Sequence, residues 1–161
     1  MRRILVIGYG NPLRGDDGFG SLAARYLEER QIPALEVLIL HQLNPELAEL
    51  LRGRNHVIFL DAVAGDDPGT LCATGVEPCD LSSSGMHHFE PGSLLALSRA
   101  IYGEAPQATL ITATACSFDH GDEISSELRE AAARAAEAIA SAAASGTFDL
   151  ETLAAALRER R

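Results

Sequence analysis

Three groups of side chains in this sequence could do chemistry together: the adjacent acids Asp16 and Asp17, the single acid Asp61, and the pair His87 and His88. Asp16 and Asp17 lie in Gly8-Tyr-Gly-Asn-Pro-Leu-Arg-Gly-Asp-Asp-Gly-Phe-Gly20, a stretch whose glycines and proline demand a tight backbone path. One acid of the pair can cap the N–H groups of a following helix and face the positive end of its dipole. The second is then surplus, in a mouth lined by glycine. Asp61 comes directly after the apolar run Val57-Ile-Phe-Leu60. The histidines stand in Gly85-Met-His-His-Phe89, behind a run of serines and just ahead of a helix. Two carboxylates, one from the first stretch and Asp61, with one imidazole and water in the open positions suit a divalent transition metal.

Other chemistries fit worse. The glycines at 8, 10 and 15 do not have the G-x-G-x-x-G spacing of a dinucleotide site, two carboxylates would repel a pyrophosphate, and the P-loop lysine is missing. Ser82, Ser83 and Ser84 lie near His87, but no G-x-S-x-G elbow exists. No H-E-x-x-H helix is present. Cys72 and Cys79 have no obvious base beside them. The three cysteines, Cys72, Cys79 and Cys116, are odd in number and lack C-x-x-C spacing, so they read as small buried hydrophobes in a reducing compartment.

The elements that must position these groups alternate between strand and helix. The apolar run Ile4-Leu-Val-Ile7 predicts a first strand over residues 3–8. A helix follows from Asp16 or Asp17 to before Pro33, with Leu22, Ala23, Tyr26 and Leu27 at helical spacing. Further strands are expected at residues 35–40, 56–60, 70–76 and 108–115. The strand at 56–60 is apolar after His56 and so covered on both faces; the strand at 70–76 is entered by a hairpin-like turn at a sheet edge. Helices are expected at residues 45–52, 91–102, 125–144 and 149–158, the first two opened by Pro45 and Pro91. This order predicts an α/β fold: a three-layer sandwich, with a mostly parallel twisted sheet of roughly five strands and helices on both faces. The loops at residues 10–18, 61–67 and 117–123 then gather at the carboxyl edge of the sheet, where open α/β sheets bind ligands. The loop at 82–90 can reach the same rim.

At 161 residues the chain suits a single domain, 1–161, with a helix after Gly146 appended. Hydrophobic content of 47% with no Trp implies an aliphatic core. A net charge of −10 argues against nucleic acid. No signal peptide is recognised in Met1-Arg-Arg-Ile-Leu-Val-Ile7, and no stretch reaches the roughly 18 apolar residues of a membrane span. The expected location is the cytoplasm.

The Gly8–Gly20 stretch, Phe59-Leu-Asp-Ala-Val63 with Pro68-Gly69 soon after, and His87 four residues before Pro91 resemble the nickel–iron hydrogenase maturation endopeptidases. The likeness runs from residue 3 to about residue 103. It implies a protease that removes a short C-terminal extension from the hydrogenase large-subunit precursor once nickel is inserted. Nickel in the precursor would be the recognition signal, with no permanent cofactor on the protease. The family's three metal-contacting residues map onto Asp17, Asp61 and His87, with His88 the neighbouring alternative. The same residues would be the catalytic set. Whether the metal polarises the carbonyl or activates water, or an aspartate acts as base, stays open at this level. The segment Thr114-Ala-Cys-Ser-Phe-Asp-His-Gly121, with Cys116 and His120, departs from the family's glutamate-rich pattern and leaves the partner hydrogenase undefined. Rival readings are a metal or precursor chaperone without proteolysis, and a small metal-dependent hydrolase of another substrate.

Overall fold

The computed structural model describes residues 3–82, 89–121 and 123–158. Strand β1 (Ile4–Tyr9) leads through a 3-10 turn (Gly15–Gly18) into helix α1 (Phe19–Glu29). Strand β2 (Leu35–Leu40), a 3-10 segment (Pro45–Leu51) and strand β3 (His56–Val63) follow. Then come β4 (Leu71–Gly75), α2 (Pro91–Tyr102), β5 (Gln107–Thr114), α3 (Ser126–Ser145) and α4 (Leu150–Arg158). The strands form one sheet in the order β2-β1-β3-β5-β4. All neighbours are parallel except β4, which runs antiparallel to β5.

Both faces of the sheet are covered, as the apolar run of β3 requires. Alternate residues feed the two faces. Val6, Ile58, Leu60 and Ile111 pack under α1, α3 and α4, through Phe19, Ala24, Leu128, Ala135 and Leu153. Leu5, Ile7, Val57 and Phe59 pack on the other face, against α2 and the 3-10 segment, through Leu94, Leu95, Leu47 and Leu51. The expected three-layer α/β sandwich is therefore the observed one. The alanine-rich α3 lies flat on its face because Ala131, Ala132, Ala135 and Ala136 are all fully buried. Ala is the best helix former, and its small side chain permits close approach. The C-terminal helix α4 packs on the body. Leu153 and Leu157 are buried, and Arg134 Nη2 donates to the Leu157 carbonyl at 3.2 Å.

The structure corrects several expectations. Residues 45–51 wind as 3-10 rather than α-helix. Helix α1 begins at Phe19, not at the acid pair, and its N-cap residue is Gly18. Strand β3 continues to Val63, so Asp61 lies within the strand instead of after it. Strand β4 joins β5 rather than forming a hairpin with β3. Both edges of β3 are already taken by β1 and β5, and β4 pairs with the far edge of β5. The cysteines are not core residues: Cys72, Cys79 and Cys116 are all free and exposed. Cys72 lies on an edge strand between the half-buried Leu71 and Ala73, and alternation turns it outward. Cys116 lies just beyond the end of β5.

Candidate functional site

The first loop is built around a close backbone approach. Gly10 has φ of +138°, and a Cβ there would run into the Asp17 carbonyl. The loop therefore folds back until the Asn11 N–H donates to Asp17 Oδ2 at 2.7 Å. Gly8 and Gly20 let β1 and α1 touch, since a Cβ on Gly8 would meet the Gly20 carbonyl. The half-buried Asp17 is thus fixed in position by backbone alone, with its carboxylate at the mouth.

The two acids of the pair have different work. Asp16 is buried and faces away from the mouth. Its Oδ2 accepts from the Cys116 N–H at 2.6 Å, the Ser125 hydroxyl at 3.0 Å and the Ser117 N–H at 3.4 Å. Its Oδ1 accepts from the Ser125 N–H at 2.7 Å. Burial alone would raise the Asp16 pKa, but these donors hold it below the usual carboxylate range. The acid expected to cap its own helix instead clamps the loop between β5 and α3. Ser125 in turn caps α3 by accepting from the Leu128 N–H at 3.3 Å.

Asp61 meets Asp17 from the sheet. Both line one limb of a cleft at the carboxyl edge, about 390 Å³ in volume, together with Tyr9, His41, Asn44 and Phe89. A second limb of about 600 Å³ continues past Tyr9, Asp61 and Phe89 towards Val76, Glu77 and Glu90. Asp61 is half-buried, and its Oδ1 accepts from the Ala62 N–H at 2.9 Å. Burial pushes its carboxyl up to about 6, with the charge of Asp17 adding to the rise. The Ala62 N–H and the Tyr9 hydroxyl oppose it by favouring the ionised form. The Tyr9 hydroxyl is itself held protonated by burial and by the charges of Asp61, Glu90 and Asp17.

The structure therefore brings Asp17 and Asp61 to one cleft and sends Asp16 elsewhere. His87 and His88 lie outside the described residues. Among the described residues, no group of three or more His, Cys, Asp and Glu is close enough to hold a metal. The cleft adds two residues that sequence reasoning passed over, Tyr9 and His41. Each had a signal: Tyr9 ends β1 and His41 follows β2, so both sit at the carboxyl edge. Cys116 and His120 do not line either limb. A larger cavity of about 780 Å³ opens at the opposite edge of the sheet, beside Arg3, His56 and Phe148. Its one buried titratable group, His56, is bonded to Thr109 Oγ1 at 2.8 Å and kept from protonating by burial, although Asp149 pulls the other way. Among the described residues, the lining of that cavity includes no acid.

Fold and cleft together define an α/β sandwich protein with an acidic site at the carboxyl edge of a mostly parallel sheet. No protein-family model matches the chain, and comparison with curated protein sequences finds no match. Solved structures do match. HycI, a NiFe hydrogenase maturation protease from Thermococcus kodakarensis KOD1, aligns with TM-score 0.71 and 26% identity over 87% of this chain and 91% of its own. The hydrogenase maturating endopeptidase HybD from E. coli aligns with TM-score 0.71 and 28% identity over 89% and 94%. A hydrogenase 2 maturation peptidase from Thaumarchaeota archaeon SCGC_AB-539-E09 aligns with TM-score 0.66 and 28% identity over 91% and 99%. The chain shares the fold of these hydrogenase maturation proteases at 26–28% identity, and the likeness supports a peptidase function.

Proposed function

We propose that the protein is the endopeptidase that removes the C-terminal extension of a nickel–iron hydrogenase large-subunit precursor after nickel insertion. The observation that carries this reading is the pair Asp17 and Asp61, facing one cleft in a fold shared with HycI and HybD. Nickel enters as part of the substrate. The donor set suits it: two carboxylates close enough that the charge of one raises the pKa of the other, in a cleft wide enough for a peptide. His87 is proposed as the third contact, on the resemblance alone. The protease needs no permanent metal in this reading, since two carboxylates and a histidine leave positions open for the ligands of the precursor. It would act in the cytoplasm. Among the described residues, no helix is long and apolar enough to cross a membrane.

Peptide hydrolysis needs a water made nucleophilic and a polarised carbonyl. The metal of the precursor can supply the second. A cleft carboxylate that is not engaged by the metal can accept the proton of that water.

The test is incubation of the precursor, with and without nickel, followed by mass spectrometry. Loss of a C-terminal peptide only from the nickel-loaded form is expected, and loss of that cleavage in Asp17→Ala. Binding without cleavage would favour the chaperone reading instead. Full cleavage by Asp17→Ala would sink the site.

A further inference from the structure

We propose that Tyr9 is a positioning residue for Asp61, holding the carboxylate in the orientation that meets the metal of the substrate. This rests on the reading above and on four features of the structure.

The first is register. Strands β1 and β3 are parallel neighbours, with Gly8 opposite Leu60. One residue further towards the carboxyl edge the two strands carry Tyr9 and Asp61. Alternation puts both on the face of Leu5, Ile7 and Phe59, so they are side-by-side neighbours rather than groups brought together by a loop. The second is chemistry. The Tyr9 ring packs against the core on that face, and its hydroxyl lies near enough to the Asp61 carboxylate to favour the ionised acid. That is the amphipathic use to which tyrosine is suited.

The third is the accounting of donors on Asp61. It accepts a hydrogen bond from the Ala62 N–H, at 2.9 Å, and the Tyr9 hydroxyl is the polar group set beside it from the neighbouring strand. The Ala62 N–H belongs to the next residue and moves with the strand, so it sets where the carboxylate sits but constrains its rotation weakly. The Tyr9 hydroxyl comes from a different strand and supplies the second fixed point. The remaining lone pairs of Asp61 are left for the cleft. Outer-shell donors of this kind orient carboxylate ligands and typically carry tenfold or more in metal affinity. The fourth is location. Tyr9 and Asp61 both line both limbs of the cleft, so the pair sits where a peptide would cross from one limb to the other.

The experiment uses the full-length protein and Tyr9→Phe, which keeps the ring and removes only the donor. Titration with Ni²⁺ alone, by isothermal calorimetry at fixed pH, should show affinity about tenfold weaker than wild type. With nickel-loaded precursor, KM should rise by a similar factor while kcat changes less. Asp61→Asn and the double variant complete a cycle. If Tyr9 acts through Asp61, the double variant binds no more weakly than Asp61→Asn alone. A Tyr9→Phe protein that binds Ni²⁺ like wild type overturns the inference, as does a double variant in which the two losses add. If Asp61→Asn itself binds and cleaves normally, the site assignment fails, and the role of Tyr9 fails with it. Tyr9→Leu serves as the packing control: a loss confined to Tyr9→Leu, absent from Tyr9→Phe, assigns Tyr9 to the core and overturns the proposal.

Discussion

Replacing Asp16 with alanine should loosen the protein while leaving the carboxylates of the cleft in place. Asp16 is buried, and three short hydrogen bonds from Cys116 and Ser125 end on it, at 2.6, 2.7 and 3.0 Å. A hydrogen bond to a charged acceptor contributes roughly 1.5–3 kcal/mol. The donors lie on partly exposed residues, so water recovers some of that once the carboxylate is gone. Taking about 1 kcal/mol for each gives a loss of about 3 kcal/mol, or roughly 6–12 °C in Tm for a chain of this length. The acid dependence has a definite sign. The folded pKa of Asp16 lies below its unfolded value, so the unfolded chain binds the proton more readily. The contribution is complete above the unfolded pKa of about 3.9 and is lost as pH falls through the folded value. Thermal melts followed by circular dichroism should therefore show a constant gap between wild type and Asp16→Ala from pH 8 to about 5, closing below about 4. Equal melting temperatures at pH 7, or a gap that widens on acidification, would refute the clamp.

Two further outcomes follow from the same geometry. For Asp61 the sign is opposite: its folded pKa, about 6, lies above the unfolded value, so the metal-free protein gains stability as pH falls through the window between them. Carboxyl NMR should find its midpoint near 6, and Asp61→Asn should stabilise the metal-free protein at pH 7.5 by on the order of 1–2 kcal/mol; a midpoint near 4 would remove the burial argument. Leu153 is fully buried between α4 and the sheet face, so Leu153→Ala should cost about 2–5 kcal/mol in urea unfolding; a loss below about 1 kcal/mol would mean that α4 is not part of the cooperative core.

Where the sequence predicted well, the cause was local. The apolar run of β3 and the proline-opened, leucine-rich α2 each carry their own signal, and the bounds of β2 and α2 came out as expected. Alternation of strand and helix then fixed a parallel sheet, and with it the edge where the acids had to meet. Asp17 and Asp61 were legible because one follows a glycine-rich turn and the other ends an apolar run. The role of Asp16 was not legible. Its partners Cys116 and Ser125 lie 100 and 109 residues away, and nothing near Asp16 marks it as their acceptor. The exposure of the cysteines was misjudged because composition says how often a residue type is buried, not which way one side chain points: β4 was expected at an edge, yet Cys72 was still read as buried. Tyr9 was overlooked because it stood inside a motif read for its glycines. Only the pairing of β1 with β3 sets it beside Asp61.

The central claim is that Asp17 and Asp61 read a metal carried by the substrate and direct cleavage of its C-terminal tail. The most direct measurement is the intact mass of the nickel-loaded and nickel-free large-subunit precursor after incubation with wild type, Asp16→Ala and Asp17→Ala. The account predicts a truncated product only from the nickel-loaded form, made by wild type and by Asp16→Ala below its melting temperature, and absent with Asp17→Ala. Cleavage of the nickel-free precursor, or undiminished cleavage by Asp17→Ala, would contradict it.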